Sequence, residues 1–271
     1  MEPFFGRAAS PIGQPKNIIP KKSFQHMFIK SQYSLNYGIL TPEQISLWGE
    51  SAGYEKLVLA DINNTTAALL YCFESQKLGR TACVGIDIRN GMEPCFLLVA
   101  KNNRGFHEMN SFLSSHLHQD EDFPERAPHL GNCWVIYPWG KEPKRLNENE
   151  FIGIRPKQLN RLRMQITVQL RKKMVALHEL SFRNKKDFNT HRLLRAIGEN
   201  CLLSKLPKTE QAEESDLLIP KEEQAKVFEE FPDIWQQTED LVNSCQLHFQ
   251  FGEEAPPQNL STYTGSKEED L

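Results

Sequence analysis

No stretch of this 271-residue chain approaches the roughly 20 consecutive apolar residues that a membrane-crossing helix needs. Its opening, MEPFFGRAASPIGQPKNIIPKK, has no continuous apolar core of the kind that marks a secretory signal. No C-x-x-C pair occurs among the six cysteines, Cys72, Cys83, Cys95, Cys133, Cys201 and Cys245. Their scatter excludes a zinc ribbon and a disulfide framework, and predicts reduced, mostly buried thiols in a cytoplasmic protein. No internal repeat is visible, which excludes a solenoid. Net charge is also scarce, at -3, but it is unevenly spread. Between Arg155 and Arg195 twelve Lys and Arg face two acids, Glu179 and Asp187, whereas from Gly252 onward five acids face Lys267 alone. A basic segment in an acidic chain can attract nucleic acid or an acidic protein surface; it can also be only a solvated helix face.

What the chain does have is alternation of strand and helix signals after a Pro-, Gly- and Lys-containing lead-in over 1–22. FQHMFI (24–29), KLVLADI (56–62), TACVGIDI (81–88), CFLLVA (95–100), NCWVIY (132–137), EFIGI (150–154) and MVALHELSF (174–182) read as seven short apolar strands. Between them lie helix signals. Thr41-Pro42-Glu43-Gln44 has a capping residue, a proline suited to the first helical position and a glutamine that completes a capping box, and Gly53 stops that helix. Phe106, Met109, Phe112 and Leu113 share one helical face, as do Leu159, Leu162, Ile166 and Leu170. Strands buried on both faces and separated by helices predict an α/β fold with a largely parallel sheet, curled into a barrel to remove its edges. From Asp187 the text turns helical, so the organisation expected is 1–22 flexible, 23–186 α/β, 187–251 helical, and 252–271 an acidic, poorly ordered tail.

Five segments carry a resemblance. HMFIKSQYSLNYG, from His26 to Gly38, resembles H-L-H-x-H-S-x-Y-S-L-x-x-G, the first motif of the PHP (polymerase and histidinol phosphatase) domain in bacterial DNA polymerase III alpha subunits. LVLADINNTTA (57–67) is similar to the second motif, GIDIRNG (85–91) to the third, and LLVAKNNRGFHEMNSFLSSHL (97–117) to the helix entry L-A-x-N-x-x-G-Y-x-N-L. VALHELSF (175–182) stands where the family has V-A-T-N-D-V-H-F. Beyond it, DFNTHRLLRAIGENCLLSKL and VFEEFPDIWQQTEDLVNSCQLHFQFG resemble the stretch leading to the polymerase core. The resemblance spans nearly all of 23–271 and implies a distorted seven-stranded (β/α) PHP barrel followed by a helical linker region.

It also implies a metal cleft, and here the chain departs from the family. Divalent ions in such a cleft need imidazoles and carboxylates at strand ends, where they would activate water for phosphoester cleavage. After His26, the two further histidine positions hold Phe28 and Lys30. Asp61 is kept with Ile62 beside it, Asp87 is kept, Cys95 stands for a histidine, and the last Asp-x-His pair appears as Glu179 and Ser181. A lysine ammonium has no lone pair, repels a divalent ion and pairs with carboxylates. The expectation is therefore a vestigial cleft of His26, Phe28, Lys30, Asp61, Asp87, Glu179 and Ser181, with Lys30 in salt-bridge reach of a carboxylate and no metal held.

The palm carboxylates that hold Mg2+ in the family's polymerase core lie beyond the matched region, so no catalytic residue and no cofactor is assigned to this chain. Arg161, Arg163, Arg171, Lys172, Lys173, Arg183, Lys185 and Lys186 form a candidate surface for DNA phosphates or for docking on the polymerase core. The implied role is a bracing module in DNA replication, with the polymerase core (palm and thumb) and other replisome proteins as partners. Two other readings stand beside it: a metal-dependent phosphoesterase or 3′–5′ proofreading exonuclease, and a stand-alone polymerase-binding module. The stripes Leu193, Leu194, Ile197 and Val227, Phe228, Phe231, Ile234, Leu241, Val242 are expected to need that absent core as a partner.

Overall fold

The computed structural model describes residues 28–119, 121–165 and 171–252. The expectations placed on 1–22, on His26, on Ile166 and Leu170 and on the tail after Gly252 lie outside the described residues. Among the described residues eight strands form one mixed sheet: β1 (Phe28–Ile29), β2 (Val58–Ile62), β3 (Cys83–Asn90), β4 (Glu93–Ala100), β5 (Cys133–Pro138), β6 (Glu150–Ile154), β7 (Met174–Ala176) and β8 (Glu179–Leu180). Their order across the sheet is β7-β6-β5-β4-β3-β2-β1-β8. The two end strands are thus consecutive in the chain. Leu177 donates its N–H to Ile154 O of β6 at 2.9 Å, and His178 O accepts from Phe28 of β1 at 3.2 Å. One short segment thereby serves both edges of the curled sheet, and neither is left as a long unpaired row.

Two expectations are corrected. The strand read as MVALHELSF is split at Leu177 and His178, because its first half pairs with β6 and its second with β1, which makes eight strands rather than seven among the described residues. The sheet is also less parallel than expected: β4 runs antiparallel to both β3 and β5. The cause is local. Asn90-Gly91-Met92 closes β3 onto β4 as a tight hairpin, with Gly91 at φ 58, and a hairpin joins only antiparallel strands.

The helices among the described residues are α1 (Pro42–Ser51), α2 (Ala68–Lys77), α3 (Asn103–Gln119), α4 (Leu159–Gln165), α5 (Lys185–Gly198), α6 (Lys221–Val227) and α7 (Pro232–Asn243). α1 begins with the capping box read from sequence. Thr41 Oγ1 accepts from Gln44 N at 3.1 Å, and Gln44 Oε1 accepts from Thr41 N at 3.2 Å. α2, in contrast, has no side-chain cap; Asn64 Oδ1 accepts from Thr66 N at 2.6 Å, an Asx turn ahead of the helix.

Alternate strand residues separate two cores. On the convex face Ile29, Leu59, Val84, Ile86, Leu98 and Val135 pack against α1, α2 and α3 through Ile45, Tyr71, Met109 and Phe112. On the concave face Phe28, Val58, Ala60, Cys83, Leu97, Val99, Ile136, Val175 and Leu177 form a second cluster, which Leu241 and Val242 from the end of α7 and Cys245 just after it complete. A third cluster joins Ile152, Ile154 and Met174 to Phe228, Phe231, Ile234 and Trp235. The stripe expected to await an outside partner is therefore buried on this chain's own sheet: Phe228, Phe231, Ile234, Leu241 and Val242 are all 3% exposed or less. The mouth of a curled sheet needs an apolar cover, and α7 supplies it from within the chain. The other stripe differs, since Leu193 and Ile197 on α5 are 51% and 63% exposed.

Candidate functional site

Residues two apart on a strand share a face, so the concave side continues upward from Phe28 to Lys30 and from Cys83 through Gly85 to Asp87 and Arg89. At that level the apolar cluster gives way to charge. Lys30 Nζ lies 2.7 Å from Asp87 Oδ2 and 3.6 Å from Glu179 Oε2. Arg89 reaches the same Asp87 oxygen through Nε at 2.8 Å and Nη2 at 2.6 Å, and Glu179 Oε2 at 3.2 Å. Arg155, directly after β6, donates to Glu179 Oε1 at 2.7 Å. Lys30, Asp87, Arg89 and Glu179 are all less than a tenth exposed.

Electrostatics follow from this geometry. Burial alone would raise the pKa of Glu179, but Lys30, Arg155 and Arg89 hold it well below the usual carboxylate range. Burial likewise opposes the charge on Lys30, yet Asp87 and Glu179 outweigh it and raise its pKa. The network is charged, with three cations, Lys30, Arg89 and Arg155, sharing two carboxylates, Asp87 and Glu179.

Asp61 belongs to a different arrangement. Its oxygens accept from Ser31 N, Ser31 Oγ and Ser34 Oγ, each at 2.7 Å, which ties the loop after β1 to the end of β2. Ile62, partly buried, donates its N–H to the same Ser34 hydroxyl at 3.0 Å. No ion pair joins Asp61 to Lys30 among the described residues, although Lys30 lowers the pKa of Asp61 against the larger upward push of burial. The loop is tight: a Cβ at Gly38 would lie 1.7 Å from Ser31 O, so only glycine fits there.

The other expected members divide. Phe28 is in the apolar layer below the charges. Ser181 is buried with no hydrogen-bond partner for its Oγ among the described residues, while its N–H donates to Asp216 O at 3.0 Å. Cys95 packs into the convex core and takes no part in the ion pairs. His178 has Nδ1 at 2.7 Å from the Gln224 side-chain amide, and burial lowers its pKa.

Sequence reasoning missed Arg89, Arg155, Ser31, Ser34 and Asn63. Arg89 was legible, since it stands two residues after Asp87 on one strand and must share its face. Asn63 holds Arg89 in place, taking its N–H at 2.9 Å and donating to its carbonyl at 2.8 Å. It adopts φ 46 to do so, a conformation that asparagine tolerates better than most residues.

Asp216 borders the network on the 200–220 segment, beside a cleft of ≈ 230 Å³ that Arg155, His178 and Glu179 also line. Burial, and then Glu179, push its carboxyl up to about 7. A carboxyl with a raised folded pKa binds its proton more tightly when folded. Its contribution therefore favours folding at low pH and is lost as pH rises from its unfolded value, about 3.9, through about 7. Asp216→Asn is expected to remove that fall. Urea midpoints of wild type and variant at pH 5.5 and pH 8 check this, and the variant's relative stability should increase toward pH 8.

Four of the eight expected basic residues pair with carboxylates at the surface. Arg163 pairs with Glu230 at 2.5 Å, Arg171 with Asp233 at 4.0 Å, Arg183 with Asp187 at 2.7 Å and Lys185 with Glu214 at 3.3 Å. Arg161 lies 4.8 Å over the Trp139 ring, and Lys173 donates to Asn147 O and Glu148 O. Lys172 borders an apolar recess, and Lys186 is exposed on α5.

Among the described residues, no group of three or more His, Cys, Asp and Glu is arranged to hold a metal ion. No helix there is long and apolar enough to cross a membrane. No protein-family model matches the chain. An amidohydrolase structure from Chromobacterium violaceum covers 66% of this chain and 84% of its own length, at 11% identity and a TM-score of 0.27. The DNA polymerase III subunit alpha of Buchnera aphidicola subsp. Schizaphis graminum (strain Sg) is 20% identical over 279 residues, covering 88% of this chain and 24% of that protein. The chain thus bears a weak similarity, along most of its length, to about a quarter of a DNA polymerase III alpha subunit.

Proposed function

We propose that this chain is a PHP-type module related to the N-terminal part of a DNA polymerase III alpha subunit, whose former metal cleft has become a structural ion-pair centre. One observation carries the reading: Lys30 Nζ stands between Asp87 and Glu179, carboxylates at two positions that match the family's metal ligands. A divalent ion does not suit these residues. The Asp87 oxygen nearest Lys30 already accepts from an ammonium and a guanidinium, both Glu179 oxygens face cations, and Asp61 is saturated by serine donors. The centre therefore orders the strand ends rather than activating water. The role is to brace a polymerase core in DNA replication, and the exposed Leu193, Ile197 and Leu202 on and after α5 are the apolar surface offered to it.

Elemental analysis of protein purified without chelator, with a phosphoester hydrolysis assay on the same sample, tests the reading. The expected result is no stoichiometric zinc, manganese or iron and no turnover. Metal at one or more equivalents together with hydrolysis would sink it in favour of the phosphoesterase.

A further inference from the structure

The concave face has a second mouth that α7 leaves partly open. There Trp134 of β5 and Phe151 of β6 meet edge to face, with ring centroids 5.6 Å apart. With Lys172, Gln237, Asp240 and Leu241 they line a recess of ≈ 460 Å³ whose walls are mainly apolar. Two further cations sit on these rings. Lys101 Nζ lies 3.9 Å from the centroid of Trp134, and Lys173 Nζ 5.0 Å from that of Phe151.

Charge distinguishes this recess from the rest of the basic segment. Arg163, Arg171, Arg183 and Lys185 are paired with carboxylates. Lys101 and Lys173 instead donate to carbonyl oxygens, those of Gly131, Asn147 and Glu148, and carboxylates act on them only from beyond ion-pair distance, Glu108 on Lys101 and Glu148 and Glu150 on Lys173. Partial burial lowers the pKa of both, outweighing the upward pull of these carboxylates. Lys172 adds a third cation, against Asp240 alone among the lining residues.

Gln237 supplies one polar feature in the wall. Its Nε2 donates to Arg171 O at 3.0 Å, which fixes the amide orientation, and its buried Oε1 has no hydrogen-bond partner among the described residues. That atom is enclosed within the wall, so what the recess itself offers is two aromatic rings within a rim of lysines that form no ion pair among the described residues. The matching ligand has a flat ring and carries negative charge on both sides. A neutral peptide would meet the rings without using three cations, and a duplex keeps its bases stacked inside.

We propose that this recess binds single-stranded nucleic acid, one base lodging against Trp134 and Phe151 while the flanking phosphates lie along Lys101, Lys172 and Lys173. The inference stands on the recess alone and does not depend on the fate of the ion-pair centre. Fluorescence anisotropy of a labelled oligothymidylate titrated with the full chain, between about 50 and 200 mM salt, tests it. Saturable binding is expected, weakened about tenfold by Phe151→Leu. In Lys172→Gln the slope of log affinity against log salt should be shallower by about 0.7, the share of one phosphate contact on a single strand. Absence of binding, or equal affinity for duplex or for an abasic phosphodiester chain, would overturn the proposal. So would an affinity unmoved by both substitutions, and circular dichroism with a urea midpoint on each variant separates lost binding from lost fold.

Discussion

Lys30→Met is expected to lower the stability of the folded protein by about 3–5 kcal/mol, the usual consequence of removing one partner from a buried ion pair. Methionine keeps most of the lysine's length and apolar stem, so little packing is lost and the effect isolates the ammonium. Without it, Asp87 and Glu179 keep Arg89 and Arg155, but two carboxylates at the same strand ends lose the cation between them. The pH dependence gives a second readout. Glu179 has a depressed folded pKa, so its contribution to stability is present above its unfolded value of about 4.3 and is lost as pH falls through the lower folded value. Lys30 is the largest of the charges that depress it, so the variant should begin to unfold at higher pH in an acid titration. Chemical denaturation at pH 7 and acid titration by circular dichroism measure both effects. A variant as stable as wild type, with an unshifted acid limb, would mean that Lys30 is not the keystone of the centre. The paired substitution Lys30→Met with Glu179→Gln should cost less than the sum of the two, because each single change strands the charge that the other leaves behind.

The strands were legible because the sequence repeats short apolar runs between turn residues, and the observed elements begin and end within a few residues of those runs. The sense of β4 was less so. Cys95–Ala100 reads as a buried strand in either direction, and only the shortness of the Asn90-Gly91 connection decides that it turns back. The split at Leu177 and His178 was not legible, since partner exchange along one strand leaves no mark in composition. In the candidate site, Lys30, Asp87 and Glu179 were found from the resemblance and do meet. Asp61 went elsewhere because Ser31 and Ser34 offer three short donors, and a carboxylate so satisfied needs no ammonium. Arg155 was seen only as part of a basic run. Its place opposite Glu179 depends on the register of β6 beside β7, which charge counting does not supply.

Val242→Asp is expected to cost about 4 kcal/mol or more, enough to consume most of the stability of an ordinary domain. Val242 has no exposure and sits with Leu241 and Cys245 against Phe28, Val58, Cys83 and Val99. An aspartate there would be ionised with no cation, or protonated with no hydrogen-bond acceptor, and either state is costly in an apolar cluster. Loss of α7 would also uncover the lower mouth of the sheet. It would sever Thr238 Oγ1 from Ala176 N, which it meets at 2.8 Å, and Lys56 Nζ from the carbonyls of Asn243 and Cys245 at 3.2 and 2.9 Å. Ile197→Asp is the companion change. At 63% exposure on α5 it should move stability by no more than about 0.5 kcal/mol. Hydrogen exchange supplies the independent check: amides of α7 should be protected as strongly as those of β3, because the two open only when the concave core does. Rapid exchange across α7, with Val242→Asp folded and stable, would mean that the helix rests on the sheet without covering it. The second apolar stripe would then again need a partner from outside the chain.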